Sequence, residues 1–532
     1  MDRRPEPGLP ALISGKPGLY RPVLPRLPRD QRGTRAVRAE QPDPKEPVMT
    51  GIPEDTTEAA LDRVMEAAAA AAPDFAAMRP ADRAAVLRSA ADALDEAAEE
   101  LVPIAMEESR LPEARCRNEL GRTTFQLRLF ADHVEEGRYL EATVDRPDGQ
   151  WGMGPRPDVR RMLVPVGPVV VFGASNFPFA FSTAGGDTAS ALAAGCPVVV
   201  KAHPGHPRLA RRTGEVVAGA LAESGAPEGA FAVVYGQETG RRAVLHPRTR
   251  AVGFTGSIPG GRALFDLAAS RPDPIPFYGE LGSVNPVFVT RAAMRERGGE
   301  ILEGYGGSFT LGAGQFCTKP GVLLVPAGAP LDPLVADVRG RAAAELLNDR
   351  VASGFASGLE RLRDRDDVEV LVEGGDGPEG WTPSLLRTTV DALLADPEGL
   401  LEECFGPASL VVAYEDEERL LEVADRLQGQ LTATVQGEES DAIAPRLLAS
   451  LAEHAGRVLW NGWPTGVSVT YAMHHGGPYP ASTSLHTSVG TTAIRRFLRP
   501  VAYQGVPNAL LPEPLKDENP LNIPRLLDGA PE

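Results

Sequence analysis

Two apolar rhythms follow one another along the chain. Residues 59–72, 80–107 and 122–134 carry Ala and Leu at helical spacing among charged positions, which predicts amphipathic helices. From residue 162 the rhythm changes. Residues 162–172, 197–201, 230–235 and 251–255 are short, β-branched and apolar throughout, as expected of strands covered on both faces. Residues 182–194, 209–224 and 261–269 lie between or after them at helical spacing. This strand–helix alternation predicts an open parallel sheet with helices on both faces. A second α/β series follows, with strands expected at 286–289, 368–372, 409–413 and 457–460 and helices starting at Met294 and Leu331. Residues 501–503 predict a last strand. Residues 1 to about 48 are rich in Pro and Arg without hydrophobic periodicity, which predicts a disordered or extended arm.

Length and composition narrow this picture. A chain of 532 residues exceeds one ordinary core and predicts two or three lobes. The apolar share of 42% and charged share of 24% are those of a soluble globular protein. The net charge of −18 argues against nucleic acid or an anionic membrane surface as the main partner. Four cysteines, none in a C-x-x-C pair, predict a reducing, cytoplasmic setting rather than a disulfide framework. No apolar run is long enough for a membrane helix, and no apolar segment of signal-peptide type follows the first residues. The eight histidines are scattered, and neither His203-x-x-His206 nor His474-His475 comes with an evident further ligand, so no metal is expected.

Several stretches carry chemistry. Gly375-Asp-Gly-Pro-Glu-Gly380 fits G-x-G-x-x-G, but Trp381-Thr-Pro follows it and no helix opens, so it reads as a surface loop. Phe172-Gly-Ala-Ser-Asn-Phe-Pro-Phe179 leaves a predicted strand and sets Asn176 at the carboxyl edge of the sheet, where its amide can donate to an oxyanion. Phe254-Thr-Gly-Ser-Ile-Pro-Gly-Gly261 leaves another strand and opens a helix, so Gly256, Ser257 and Gly261 suit a pyrophosphate. Glu280, among glycines and apolar residues, is a general-base candidate whose pKa burial would raise. Glu403 is a second loop glutamate, and Cys404 beside it reads as packing. Cys317 sits in the Gly-rich turn Leu311-Gly-Ala-Gly-Gln-Phe-Cys-Thr-Lys319, which suits either a reactive thiol or an idle loop cysteine.

Taken as an ordered set, Asn176, Lys201, the Gly256 turn, Glu280, Cys317 and Glu403 resemble the S-N-F-P, V-V-x-K, F-T-G-S, E-L-G, G-Q-x-C and E-x-F-G-P motifs of the aldehyde dehydrogenase superfamily. The match runs over roughly residues 50 to 510. Met473-His-His-Gly-Gly-Pro-Tyr-Pro480, Thr487-Ser-Val-Gly-Thr491 and Arg499-Pro-Val-Ala-Tyr-Gln504 are similar to the branch that holds the α-ketoglutarate semialdehyde dehydrogenases. The resemblance implies an α/β fold with a Rossmann-type parallel-sheet cofactor domain (49–142 and 162–282) and an α/β catalytic domain (283–494). It also implies a small bridging β oligomerisation element (143–161 and 495–515), a tail (516–532), and a homodimer or homotetramer.

It implies roles as well. Cys317, as a thiolate of lowered pKa, attacks an aldehyde, and Asn176 with the Cys317 backbone N–H holds the oxyanion. Glu280 activates the water that releases the acid. Lys201, Glu403 and Phe405 contact the cofactor, and Phe177 lies at the substrate. Where most of the superfamily has Lys-Pro-x-Glu, this chain has Lys201-Ala-His-Pro204. A glutamate there would repel a 2′-phosphate, so its absence admits NADP, with NAD possible and His203 or Lys201 as phosphate contacts. Arg122 and Gln126 share a helix face and read either as surface positions or as the contact for a distal carboxylate. The alternatives are a medium- or long-chain aldehyde dehydrogenase, a CoA-acylating enzyme, a catalytically silent member of the fold, and a Cys-His hydrolase. No histidine has an evident partnership with Cys317 in the sequence, which counts against the last.

Overall fold

The computed structural model describes residues 51–532, and the arm expected over residues 1–48 lies outside them. The alanine-rich segment forms four helices: α1 (Glu58–Ala77), α2 (Pro80–Glu96), α3 (Ala98–Ser109) and α4 (Glu113–Glu136). Thr57 caps α1 by accepting the Ala60 N–H. The helix expected over 80–107 divides at Ala97. The one expected over 122–134 is the second half of α4, which starts directly after Pro112.

The apolar run 162–172 is not one strand. β1 (Thr143–Asp145) is followed by β2 (Val159–Pro165), the chain turns at Gly167 (φ 111°), and β3 (Val169–Phe172) enters a different sheet. An L side chain resists that φ, and a Cβ there would sit 2.9 Å from Arg250 Cγ, so the glycine separates the two strands.

β3, β4 (Val198–Lys201), β5 (Phe231–Val234), β6 (Ala251–Thr255) and β7 (Phe277–Glu280) form a parallel sheet in the order β5-β4-β3-β6-β7. All four residues of β3 and of β4 are buried, which is what their unbroken apolar runs require. Helices α5 (Gly186–Ala194), α6 (Pro207–Glu223), α7 (Gln237–Leu245) and α8 (Ile258–Ala269) connect them. α5 starts at Gly186 rather than at residue 182. The strand order reverses between β3 and β6, and ligands of open α/β sheets bind at such a crevice.

The second sheet runs β10-β13-β14-β9-β8-β15-β16 and is parallel except at β10. In chain order these strands are β8 (Val287–Val289), β9 (Val322–Pro326), β10 (Glu369–Val372), β13 (Ser384–Thr389), β14 (Ala408–Tyr414), β15 (Gln430–Gln436) and β16 (Ala455–Trp460). α9 (Arg291–Thr310) joins β8 to β9, and α10 (Asp332–Arg339) and α11 (Asp349–Arg363) follow β9. The Gly375–Gly380 stretch forms only a two-stranded hairpin, β11 (Asp376–Gly377) with β12 (Gly380–Trp381).

A third sheet, β17-β2-β1-β18-β19, is completed by β17 (Leu498–Gln504), β18 (Leu526–Leu527) and β19 (Ala530–Pro531). Residues 501–503 therefore lie in a strand, but not the last one. The segment expected to be a tail supplies two more, with β18 pairing parallel to β1. Among the described residues no helix is long and apolar enough to cross a membrane.

Candidate active site

The strand ends of the first sheet set out most of the candidate residues. Lys201 and Glu280 are the last residues of β4 and β7, Asn176 follows β3, and Ser257 follows β6 as the cap of α8. Cys317 reaches this edge from the other sheet. After α9 the chain takes three successive left-handed residues, Gly312 (φ 57°), Ala313 (φ 55°) and Gly314 (φ 66°). A Cβ on Gly314 would lie 2.2 Å from Gly406 O, so glycine lets this turn close against the Glu403–Pro407 loop. Asn285, buried at φ 49°, fixes the Cys317–Lys319 backbone by donating from Nδ2 to Cys317 O and Lys319 O, both at 2.9 Å. Lys319 Nζ donates to Cys404 O (2.8 Å) and Ala408 O (2.9 Å), so it joins the two loops. Asn176 Nδ2 donates to Gln315 O at 3.2 Å, two residues before the thiol. Among the described residues this is its one side-chain hydrogen bond, which leaves a second N–H for an oxyanion.

The thiol has a partner that the sequence did not reveal. Cys317 Sγ lies 3.4 Å from His475 Nε2, and that nitrogen lies 2.8 Å from Glu280 Oε1. The absence of a histidine partner is thus corrected: one nitrogen of His475, Nε2, lies against both the Cys317 sulfur and the Glu280 carboxylate. The 473–491 segment holds the group together. His475 N donates to Thr487 Oγ1 (2.8 Å), Ser488 N to His475 O (2.8 Å), and Ser488 Oγ to Glu280 Oε2. The only sequence signal for it is that 473–480 and 487–491 are Gly-containing motifs of the family branch, neither of which points to a chemical role.

The electrostatics also differ from expectation. Burial pushes the Cys317 thiol well above its ordinary value, with Glu280 and Glu403 adding and Arg122 opposing. A lowered pKa was expected, so the resting nucleophile is a thiol, not a thiolate. Burial pushes Glu280 up, but His475, Ser488 and Cys317 together outweigh it and hold the carboxyl below its ordinary value. The raised pKa expected for Glu280 is reversed for that reason. Glu403, by contrast, is pushed up to about 7 by burial, with Lys319 and the Ser283 N–H opposing.

Helix α4 lines the other side. Arg115, Glu119, Arg122 and Gln126 are spaced to share one stripe. Arg115 lies 4.5 Å from both the Phe177 and Phe316 ring centres, and buried Glu119 accepts the Phe179 and Ala180 N–H groups. Arg122 sits over Phe181 at 5.3 Å with a buried, unpartnered Nη1. Burial lowers its pKa, and Glu119, Cys317 and Glu280 oppose that. It is therefore not a surface arginine. Gln126 is buried beside Gly186. Leu129, Phe181, Val469 and Val489 form an apolar cluster against Phe177. Arg457, invisible as a site residue in the sequence, has its pKa lowered by burial and ties down the Pro464 and Gly466 carbonyls.

The elements for a dinucleotide lie along the same edge. Ser257 Oγ accepts the Gly260 N–H at the start of α8, whose free N-terminal N–H groups favour an anion. A Cβ on Gly261 would come within 2.1 Å of Leu281 Cδ2, and one on Gly282 within 2.5 Å of Glu403 Oε2. A larger residue at either position would displace the Leu281 or the Glu403 side chain. Phe405 is half-buried next to Glu403. A cavity of about 430 Å³ is lined by Ile258, Gly282, Glu403 and Gln430. These residues fit a dinucleotide. Farther along, burial pushes Lys201 down to about 8, with Arg350 adding. His203 is held well below its ordinary value by burial, His206, Lys201 and Arg350. Its Nδ1 accepts the Gly205 N–H (3.0 Å). The charge at this end comes from Lys201 and from exposed Arg350, in the first turn of α11, which the sequence reading missed.

The aldehyde dehydrogenase family profile matches residues 29–358. The chain is 44% identical over 504 residues to alpha-ketoglutaric semialdehyde dehydrogenase 2 of Azospirillum brasilense, covering 92% of this chain and 95% of that protein. It is also 44% identical over 486 residues to alpha-ketoglutaric semialdehyde dehydrogenase of Acinetobacter baylyi, covering 89% and 92%. A crystal structure of bifunctional proline utilization A (PutA) protein superposes with a TM-score of 0.72 at 21% identity. That match covers 86% of this chain but 46% of the longer PutA chain, and it bears on the fold alone.

Proposed function

The chain belongs to the aldehyde dehydrogenase family, and we propose that it oxidises α-ketoglutarate semialdehyde to 2-oxoglutarate, with NADP the preferred acceptor and NAD also used. The observation that carries the substrate reading is Arg122: a half-buried arginine with a buried, unpartnered Nη1, near enough to the Cys317 thiol to oppose the rise of its pKa. A substrate with a carboxylate remote from its aldehyde satisfies that N–H, and an alkanal does not. The apolar cluster of Phe181, Val469 and Val489 favours a second reading, a medium- or long-chain aldehyde, in which Arg122 stays unpaired.

The mechanism turns on protons. Cys317 rests as a thiol, so attack on the aldehyde carbon requires an acceptor for its proton. His475 Nε2, in the tautomer that leaves it unprotonated, takes that role 3.4 Å from the sulfur, and Glu280 Oε1, 2.8 Å from the same nitrogen, stabilises the imidazolium that forms. The free N–H of Asn176 and the Cys317 backbone N–H stabilise the oxyanion of the resulting thiohemiacetal. A nicotinamide dinucleotide held in the cleft would supply the hydride acceptor for oxidation to the thioester level. Glu280, kept ionised by His475 and Ser488, then draws a proton from water as it attacks the thioester, and Cys317 is released. The glycine turn and first turn of α8 would hold the pyrophosphate, Glu403 and Phe405 one ribose end, and Lys201 with Arg350 the 2′-phosphate. We read the first sheet as the cofactor domain and the second as the catalytic domain. The third is read as the contact of a homo-oligomer, supported by exposed Trp151 and Met153 beside it.

The test is steady-state reduction of NADP and of NAD with α-ketoglutarate semialdehyde, hexanal and decanal. A kcat/KM for the semialdehyde well above both alkanals is expected. Preference for the alkanals would overturn the substrate reading.

A further inference from the structure

We propose that Glu280, Cys317 and His475 form a binding site for a thiophilic divalent cation, Zn²⁺, that reversibly silences the enzyme. The three side chains offer a carboxylate oxygen, a sulfur and an imidazole nitrogen, all within 4.8 Å of one another. Structural and catalytic zinc sites use this donor set, whereas Mg²⁺ and Ca²⁺ require oxygen ligands. The distances fit as well. With bonds of about 2.3 Å to sulfur and about 2.0–2.2 Å to nitrogen and oxygen, tetrahedral angles separate sulfur from nitrogen by roughly 3.5 Å and nitrogen from oxygen by roughly 3.4 Å. Sγ and Nε2 are already 3.4 Å apart. Nε2 and Oε1, at 2.8 Å, need to open by only about half an ångström.

A second observation points the same way. Glu280 is 3% exposed, and its Oε1 makes no hydrogen bond although Nε2 is 2.8 Å away. The same nitrogen also lies 3.4 Å from the Cys317 sulfur. A cation between the three atoms gives that oxygen a partner. Glu280 Oε2 stays bonded to Ser488, and the His475 backbone to Thr487, so both ligands arrive already oriented. On binding, the Cys317 S–H bond breaks, a Zn–S bond forms, and the proton passes to solvent, with no change of oxidation state. Thiolate and carboxylate neutralise the ion. The sulfur is then no longer a nucleophile, which is the point at which this inference rests on the aldehyde reading. The binding itself does not.

Full-length reduced enzyme, freed of metal with chelator, is titrated with Zn²⁺ by calorimetry and with Co²⁺ by absorbance, without substrate. One ion per chain is expected, with a thiolate-to-cobalt charge-transfer band. Cys317→Ser abolishes the band, and His475→Ala and Glu280→Gln each weaken Zn²⁺ binding by at least about tenfold while melting like the parent. His475→Gln is a second variant should His475→Ala fail to fold. In the parent, activity falls in proportion to bound Zn²⁺ and returns with EDTA. Unchanged Zn²⁺ affinity in the His475 variants, a cobalt band that survives Cys317→Ser, or no stoichiometric binding would overturn the site. Binding with full retention of activity would overturn the silencing alone. Failure of the aldehyde reading would show instead as metal binding by a chain that oxidises no aldehyde.

Discussion

Arg122→Met tests the substrate reading most directly. Methionine fills much of the same apolar volume against Phe181, 5.3 Å away, while removing a half-buried cation whose Nη1 has no partner. The fold should therefore hold, with an unchanged or higher melting temperature. A hydrogen bond from a charged group contributes roughly 1.5–3 kcal/mol, which corresponds to a loss of about 10- to 150-fold in kcat/KM for α-ketoglutarate semialdehyde. For hexanal, which has no carboxylate, kcat/KM should hold or rise. The ratio of the two is the readout, because Arg122 also opposes the upward shift of Cys317. If Arg122 acted only through the thiol, both substrates would lose equally. The rate of Cys317 alkylation by iodoacetamide, measured against pH in parent and variant, isolates that route. Equal loss for semialdehyde and hexanal, with alkylation slowed to match, would refute a contact between Arg122 and the substrate.

The geometry sets three further outcomes. Arg350→Glu should raise KM for NADP by about tenfold or more and leave KM for NAD nearly unchanged, as the loss of one charge-assisted contact predicts; equal effects on both would remove Arg350 from the 2′-phosphate site. Gly314→Ala imposes φ 66° on an L residue and sets a Cβ 2.2 Å from Gly406 O, so thermal unfolding should report a loss of more than about 2 kcal/mol together with activity. Burial raises Glu403 to about 7 in the fold against 4.5 outside it, so the folded state binds more protons between those values and stability falls as pH rises through them. Glu403→Gln should consequently melt higher than the parent above about pH 7 and lose that advantage below about pH 4.5, and a gain independent of pH would contradict the assignment.

The sequence carried the first sheet well because its strands are buried on both faces and apolar in every position, as in Val169–Phe172 and Val198–Lys201. It carried the second sheet less well. β15 reads Gln-Leu-Thr-Ala-Thr-Val-Gln, alternating like a half-exposed strand, yet all seven residues are buried. Thr432 bonds to Asn285 and Gln430 to Ser283, so polar side chains in this core are consumed in holding the Cys317 loop. Sequence periodicity treats such residues as surface. Asn176, Glu280 and Cys317 each sit in a glycine-marked turn at a strand or helix end that alone suits a loop residue as well, and they became legible only as an ordered set resembling the family motifs. His475 and Arg350 did not, because their importance comes from packing across 158 positions in one case and from the approach of α11 to the β4–α6 loop in the other.

The same distinction governs the chemistry. Motifs name the nucleophile but not its protonation state, which depends on everything packed around it. A sulfur buried beside two carboxylates is an unreactive thiol unless a base lies within reach. On the proposed mechanism, His475 Nε2, in contact with both the Cys317 sulfur and Glu280, supplies that base without leaving a free thiolate in the resting enzyme. In the mechanism we propose, the nucleophile forms only as its proton moves to Nε2, when an aldehyde is present to receive the sulfur and Asn176 to stabilise the oxyanion. The cost is a cluster of sulfur, nitrogen and oxygen donors at metal-ligand spacing, so the arrangement that keeps the thiol quiet against electrophiles is also the one that opens it to zinc.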